Sequence, residues 1–440
     1  MKAGSQPACP AYPDGRNTEG SGALYLAERP RREASASADR ASAARRVPGA
    51  VLAFGTVSLL TDISSESVSA VLPLFATAVL GLSPLAYGFL DGLYQGVSGL
   101  VRIAGGWLSD RSDRPKSVAV VGYGVSAVAK PVLLLVTGFG GLTAVVAADR
   151  LGKGVRTGPR DAVIAAAAEP GQWGRAFGVH RAMDTVGAAV GPLLAFVVLW
   201  VIPGGYDSVF VVSAAAAFLG LAVLLLLVPD LRPRRDSAQG SAAPSLRALA
   251  APRMRRLVIT VGLLGLLTVS DGFLYLSLQQ RDDFAAAWFP LLFVGTNTAY
   301  FLLAVPFGRL SDRWGRQKVL VGGHIFLLCA YLATAGPAGG LVSTVVVLLF
   351  LGAFYAATDG VLSALTSSVL DLSNRAVGIA TSQTVVSFAR FGSSLVFGLL
   401  WTVTGRGGAV LCFAAALATF LPVAWLLLRG VTSAPERAGQ

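Results

Sequence analysis

Long apolar runs alternate with short polar turns from about residue 50 to residue 429. The apolar windows fall at roughly 50–80, 84–108, 117–137, 141–168, 173–201, 207–229, 257–280, 286–308, 318–337, 340–370, 375–403 and 407–429. Each is near the ~20 residues that a helix needs to cross the hydrocarbon core of a bilayer. None shows the period-two alternation of a membrane-spanning strand, and all are too long for one. The pattern predicts an all-α membrane protein of twelve transmembrane helices.

Composition agrees with lipid as the main solvent. Hydrophobic residues make up 54% of the 440, and charged residues only 14%. Mean hydropathy is +0.64. A water-soluble domain could not cover so much apolar surface.

The polar segments organise the chain. Residues 1–48 are rich in Ala, Ser, Gly, Pro and Arg, without apolar periodicity, and are expected to be a disordered tail. Residues 230–256 carry Arg232, Arg234, Arg235, Arg247, Arg253, Arg255 and Arg256 and read as a basic linker between two halves, 49–229 and 257–430. A short tail, 431–440, follows. With the N-terminus inside, the tail, the linker and every basic turn fall on one face, leaving Arg281 and Arg406 on the other. The positive-inside rule therefore places both termini in the cytoplasm. Topology accounts for the net charge of +12 without nucleic acid, and anionic membrane lipid is the expected surface partner.

A charged turn occurs twice, 202 residues apart. Gly106, Asp110, Arg111, Asp113, Arg114 and Lys116 form the first copy, and Gly308, Asp312, Arg313, Gly315, Arg316 and Lys318 the second. A second repeat begins the fifth and eleventh spans, with Arg175-Ala-Phe-Gly178 matched by Arg375-Ala-Val-Gly378. Two repeats in nearly one register imply two homologous six-helix bundles, an arrangement that in membranes usually serves transport.

On these residues the chain resembles the major facilitator superfamily over about residues 49–430. The second turn matches that family's signature loop throughout, while the first has Asp113 where the family prefers Gly. Arg150 followed by Gly154 is similar to its basic motif in the fourth span. Gly178, Gly187, Gly191 and Pro192 match the spacing of the fifth-span motif of its antiporters, with Ala195-Phe196 in place of the usual closing small pair. The resemblance implies two pseudo-symmetric six-helix bundles and proton antiport.

Each motif also has a physical reading. Gly187 and Gly191, one turn apart, let another backbone approach, and Pro192 removes a helical hydrogen bond, so this is a hinge or tight-packing site. Asp110 and Asp312 lie at helix ends, where a carboxylate favours an adjacent helix start and the neighbouring arginines can reach the opposite bundle. That makes the turns candidate conformational latches.

Charges inside the spans are expensive and point to a cavity or a partner. Asp62 and Glu66 share one face of the first span, and Asp91, Gln95 and Arg102 align on the second. In the fourth span Asp149, Arg150, Lys153, Arg156, Arg160 and Asp161 fall within an arc of about 140°, opposite Leu151, Val155 and Ala162. His180, Arg181 and Asp184 of the fifth span could partner them. This face either binds an anionic substrate or forms a salt-bridge network. Lys130, beside Pro131, is expected to snorkel or pack with little functional weight. Asp271, Asp359 and Arg390 are lone ions at one depth of the second half, which suggests a site at the bundle interface.

Other functions find little support. No phosphate loop, nucleophile elbow or metal-ligand spacing occurs, and the chain has two histidines. Neither enzyme activity, cofactor nor metal is expected; Cys9, Cys329 and Cys412 have no disulfide spacing. The reading is a monomeric secondary transporter of a small molecule, exporting it against protons by alternating access across a bacterial plasma (inner) membrane. The alternatives are proton-coupled uptake of an anionic metabolite and a non-transporting receptor or scaffold on the same fold.

Overall fold

The computed structural model describes residues 49–111, 115–168, 172–230, 251–371 and 374–432, without the side chains of residues 98–111, 376, 430 and 432. The expected N-terminal tail, Asp113, most of the linker and the last residues of the C-terminal tail lie outside the described residues. So do the side chains of Arg102, Asp110 and Arg111 and the surroundings of Gly106.

Helices fill nearly all the expected windows. The first half contains α1 (Gly49–Leu74, extended by a π turn at Phe75–Val79), α2 (Pro84–Arg111), α3 (Pro115–Val132), α4 (Phe139–Ala167), α5 (Trp173–Val201) and α6 (Tyr206–Leu227). The second contains α7a (Pro252–Leu266), α7b (Asp271–Asp282), α8 (Phe289–Trp314), α9 (Arg316–Ala335) and α10 (Leu341–Val369). Arg375–Thr432 then forms α11 (375–404) and α12 (406–432), divided at Gly405, whose φ of 75° suits glycine. A continuous helix of that length would be more than twice the thickness of a bilayer core.

Among the described residues, nine spans are long and apolar enough to cross a membrane, with α7a–α7b and α11–α12 each counted once. Three helices make up the shortfall from twelve: α12, counted with α11, and α2 and α4. The α4 helix is long, but its charges from Asp149 to Asp161 lower its apolarity.

The packing repeats with a step of six helices. Helix α1 packs on α5, α2 on α4 and α3 on α4; correspondingly α7a packs on α11, α8 on α10 and α9 on α10. The halves meet where α2 lies against α11 and α5 against α8, two contacts related by the same step. This is a pseudo-symmetric pair of six-helix bundles. For orientation, the face carrying the linker and the charged turns is termed the linker face, and the other the far face.

The seventh span departs from expectation. It starts at Pro252, before the expected window, and unwinds between Leu266 and Asp271 in mid-span. Ser270 takes an extended conformation ahead of Asp271, the sequence of a helix start. Bare backbone at this depth needs partners. The Tyr331 hydroxyl supplies two, accepting from Val269 N–H at 2.7 Å and donating to the Leu267 carbonyl at 3.0 Å, and Ser393 donates to the Thr268 carbonyl at 2.8 Å. Tyr331→Phe orphans both backbone groups, at about 1–3 kcal/mol each. Its melting temperature in detergent should fall clearly below wild type; an unchanged value would mean that the break is held by other contacts.

Glycine faces set helix spacing. A Cβ at Gly187 or Gly191 would strike the α1 backbone, at the carbonyls of Leu59 and Ile63 respectively. Gly178 has open space around it, so the close-packing role extends only to Gly187 and Gly191. Pro192 is buried within an uninterrupted α5. An unexpected pair, Gly122 and Gly152, brings α3 and α4 into backbone contact.

Candidate functional site: an ion network and two midplane cavities

Of the four cations of α4, Lys153 and Arg156 pair across to α1, and Arg150 and Arg160 pair with the aspartates beside them; the network has two acidic centres. Asp149 is buried, and its Oδ1 lies 3.0 Å from Lys130 Nζ and accepts from Ser126 Oγ at 2.5 Å. Its Oδ2 accepts from Arg150 Nη2 at 2.5 Å, and the Arg150 guanidinium stacks 3.9 Å over the Tyr94 ring. Tyr94 in turn bonds Ser69 of α1 at 2.5 Å. Four helices are thereby tied around one carboxylate. Lys130 does not snorkel: its side chain is 3% exposed and held by Asp149. The correction follows from direction. Lys130 faces α4 across the close contact at Gly122 and Gly152, whereas a snorkelling lysine must face lipid or a helix end.

The second centre involves α1. Asp62 lies 3.8 Å from Arg156 and 4.0 Å from Lys153, and Lys153 also lies 3.7 Å from Glu66. Arg156 stacks 4.4 Å over Tyr123. Asp184 of α5 reaches Asp62 and is held by Arg181 at 3.4 Å. His180 bonds Ser58 of α1 at 2.9 Å, and Arg160 pairs with its neighbour Asp161 at 2.9 Å instead of with α5.

In the second half the lone ions converge. Tyr355 Oη donates to Asp271 Oδ1 at 2.8 Å, and Arg390 stands 5.7 Å from the same tyrosine ring. Asp91, from the first half, accepts from Ser394 Oγ at 2.5 Å, one turn beyond Arg390 on α11. That bond crosses between the bundles.

Two cavities occupy the mid-depth of the protein. One, of about 230 Å³, lies between the halves and is lined by Glu66, Asp91, Gln95 and Asp271 together with Tyr87, Tyr94 and Asn297. The other, of about 510 Å³, runs from mid-depth toward the linker face and is lined by Arg390, Asp359, His324, Tyr300, Gln383 and Arg181 among others. The far ends are sealed. A Cβ at Gly398 would approach the Pro84 carbonyl to 2.5 Å, so α2 and α11 touch by their backbones there. Phe273 packs on Tyr87, Phe397 and Trp401 at centroid distances of 4.9, 4.8 and 5.7 Å, and Phe196 of α5 meets Trp288 at 5.5 Å.

The second charged turn is open. Asp312 is 74% exposed and lies 4.0 Å from Arg316, which donates to the Ala364 carbonyl of α10 at 3.0 Å. Gly308 has free space, Arg313 is exposed, and Gly315 caps α8 with φ 101°. All of these contacts stay within the second half.

The sequence reading passed over His324, Asn297, Tyr87, Tyr94 and Tyr355, which carry no charge pattern. The His324 Nδ1 bonds the Leu320 carbonyl at 2.9 Å, which fixes the proton on Nδ1 and leaves Nε2 as an acceptor. Its appearance in an otherwise apolar span was the one available signal.

Comparison with known proteins decides the family. The sequence profile of the Major Facilitator Superfamily matches residues 52–391. The chain belongs to the Major Facilitator Superfamily. It is 30% identical over 362 residues to an uncharacterized MFS-type transporter of Methanocaldococcus jannaschii, covering 80% of this chain and 89% of that protein. An uncharacterized protein of Mycobacterium tuberculosis is 31% identical over 280 residues, 62% of this chain and 67% of its own length. In structure the chain is similar to the nucleoside transporter NupG, with TM-score 0.72 and 15% identity over 88% of this chain and all of the other. It is also similar to a bacterial homolog of the human lysosomal transporter Spinster in an inward-facing conformation, with TM-score 0.64 and 15% identity, covering 87% and 95% of the two chains. At such identities the likeness shows the fold alone. The superfamily member is thus an integral membrane protein and a transporter, not an enzyme.

Proposed function

We propose that this superfamily member exports a small molecule in exchange for protons, with residues 49–229 and 257–430 rocking about the midplane cavities. One observation carries the reading. Every charged side chain lining the pocket between the halves, Glu66, Asp91 and Asp271, is a carboxylate. Glu66 has Lys153 at 3.7 Å, but Asp91 and Asp271 have no ion pair among the described residues; carboxylates so placed in a cavity within the membrane need compensating charge, from protons or from a substrate cation. If each displaces the other, proton entry from one side drives substrate release, which is exchange. The fifth-span glycines that resemble an antiporter motif serve the same reading by letting α5 slide closely on α1.

Uptake of an anion through α4 has less support. Its cations are committed to Asp149, Asp62, Glu66 and Asp161. The placement of both termini in the cytoplasm rests on the basic residues of the linker face, and it makes the described conformation inward-facing.

The test is flux in proteoliposomes loaded with candidate solutes. An imposed pH gradient, acidic on the far face, should drive the solute across, and a protonophore should return the flux to its passive rate. Flux indifferent to the gradient and to the protonophore would remove proton exchange and leave a uniporter.

A further inference from the structure

Three charged side chains line the cavity of about 510 Å³: Arg181, which is exposed and pairs with Asp184 at 3.4 Å, and two opposite charges, Arg390 and Asp359, that form no close ion pair with each other. Arg390 of α11 has a buried Nε without a hydrogen-bond partner, and among the described residues no carboxylate oxygen lies within 4.0 Å of its guanidinium. Asp359 of α10 is open to the cavity and likewise has no ion pair and no side-chain hydrogen bond among the described residues. The other arginines of the paired network are held closely: Arg150 by Asp149, and Arg281 by Asp282 at 2.8 Å. Asp91 and Asp271 also lack an ion pair among the described residues, but each accepts a hydroxyl, from Ser394 and Tyr355, whereas Asp359 accepts none. Arg390 and Asp359 are thus the two opposite charges on one cavity wall left without a close partner.

Geometry keeps them apart. Arg390 stands over the face of Tyr355, and the hydroxyl of Tyr355 is tied to Asp271 at the start of α7b. Asp359 sits one turn beyond Tyr355 on α10, displaced toward the linker face, where its neighbour Thr358 is turned back to the Phe354 carbonyl. The remaining lining is rich in neutral hydrogen-bonding groups: Tyr300, Gln383, Ser363, Ser387 and His324 Nε2. A volume of this size fits a drug-sized solute.

From this arrangement we infer that the cavity binds a zwitterion, a small solute carrying both a carboxylate or similar anion and an ammonium group. The anion docks on Arg390, whose planar fork suits a carboxylate, and the ammonium docks on Asp359. Each end of the solute meets the opposite charge of the protein, so a bound zwitterion gives both Arg390 and Asp359 the close partner that the empty cavity lacks. A solute with only one charge leaves one of the two without that partner, which is the source of discrimination. This deepens the exporter reading, taking the cavity as its substrate chamber.

Binding to the full-length protein in detergent tests it without any gradient, so its outcome is separate from that of the flux assay. The probes are alanine, phenylalanine and trialanine, each with its N-acetyl derivative and its C-terminal amide, read by thermal shift and by titration calorimetry. At least one parent zwitterion should bind about tenfold or more tightly than both of its singly charged derivatives. Arg390→Gln should make parent and amide bind alike, and Asp359→Asn should make parent and N-acetyl derivative bind alike. Arg390→Lys and Asp359→Glu, which keep the charges, should retain the preference for the parent and so control for misfolding. Failure of every zwitterion to bind, equal binding of parents and blocked derivatives, or discrimination unmoved by both neutral variants would overturn the inference.

Discussion

Asp149→Ala should be the most destabilising single substitution in the first half. It leaves Lys130 and Arg150 buried in mid-membrane without the carboxylate that both contact, at 3.0 and 2.5 Å. Removing one partner of a buried ion pair costs about 3–5 kcal/mol, because the stranded charge cannot be rehydrated. Here two cations are stranded. Ser126, whose hydroxyl also points at Asp149, loses its acceptor as well. Thermal unfolding in detergent should show a large fall in melting temperature and poor recovery of folded protein. Lys130→Met combined with Asp149→Asn should recover part of the loss, since one stranded cation is gone, the amide oxygen still accepts from Arg150 and the amide NH2 can donate to the Ser126 hydroxyl. A melting temperature equal to wild type in the single variant would mean that water or a reoriented Glu66 neutralises the centre.

Asp271→Asn should abolish gradient-driven transport while sparing the fold. The amide oxygen of Asn can still accept the Tyr355 hydroxyl that now lies 2.8 Å from Asp271, so the structural cost should stay within about 1–2 kcal/mol. What the variant lacks is a group that can lose and regain a proton. In proteoliposomes the pH gradient should no longer concentrate the solute, whereas solute exchange at equal concentrations should persist. Retention of uphill transport in Asp271→Asn would exclude this carboxylate and direct attention to Glu66, Asp91 or Asp359.

These two carboxylates also show where the sequence was legible and where it was not. Asp271 stood out because it is a lone ion in an apolar run, and its depth matched that of Asp359 and Arg390. That it shares a cavity with Asp91 of the facing half was not visible, because that depends on how the two halves meet. Asp149 was recognised only as part of a charged arc. Its partner Lys130 was assigned little weight, because a lysine beside a proline near the end of an apolar window looks the same whether it faces lipid or another helix. The pair Gly122 and Gly152 decides the matter, and neither glycine belongs to a motif.

The seventh span makes the same point for backbone. Its apolar window reads as one helix, and the Ser270–Asp271 start signal inside it is weak by itself. The break is stabilised by Tyr331 and Ser393, which come from α9 and α11. Such partners lie far along the chain, so no local pattern reports them.

What the sequence by itself determined is the solvent, the element type, the order of the helices and the duplication. Lipid offers no hydrogen bonds, so an apolar run of sufficient length must satisfy its backbone internally as helix. The repeated turns then record the two halves. What only the tertiary structure decided is which charges meet and which remain open. Helix periodicity places an ion on a face, but its partner depends on the rotation and spacing of neighbouring helices. Those are set by close contacts at a few small residues such as Gly122, Gly152, Gly191 and Gly398. Through that packing Asp149 acquires two cations in direct contact, whereas Arg390 and Asp359 face a cavity without a close ion pair among the described residues.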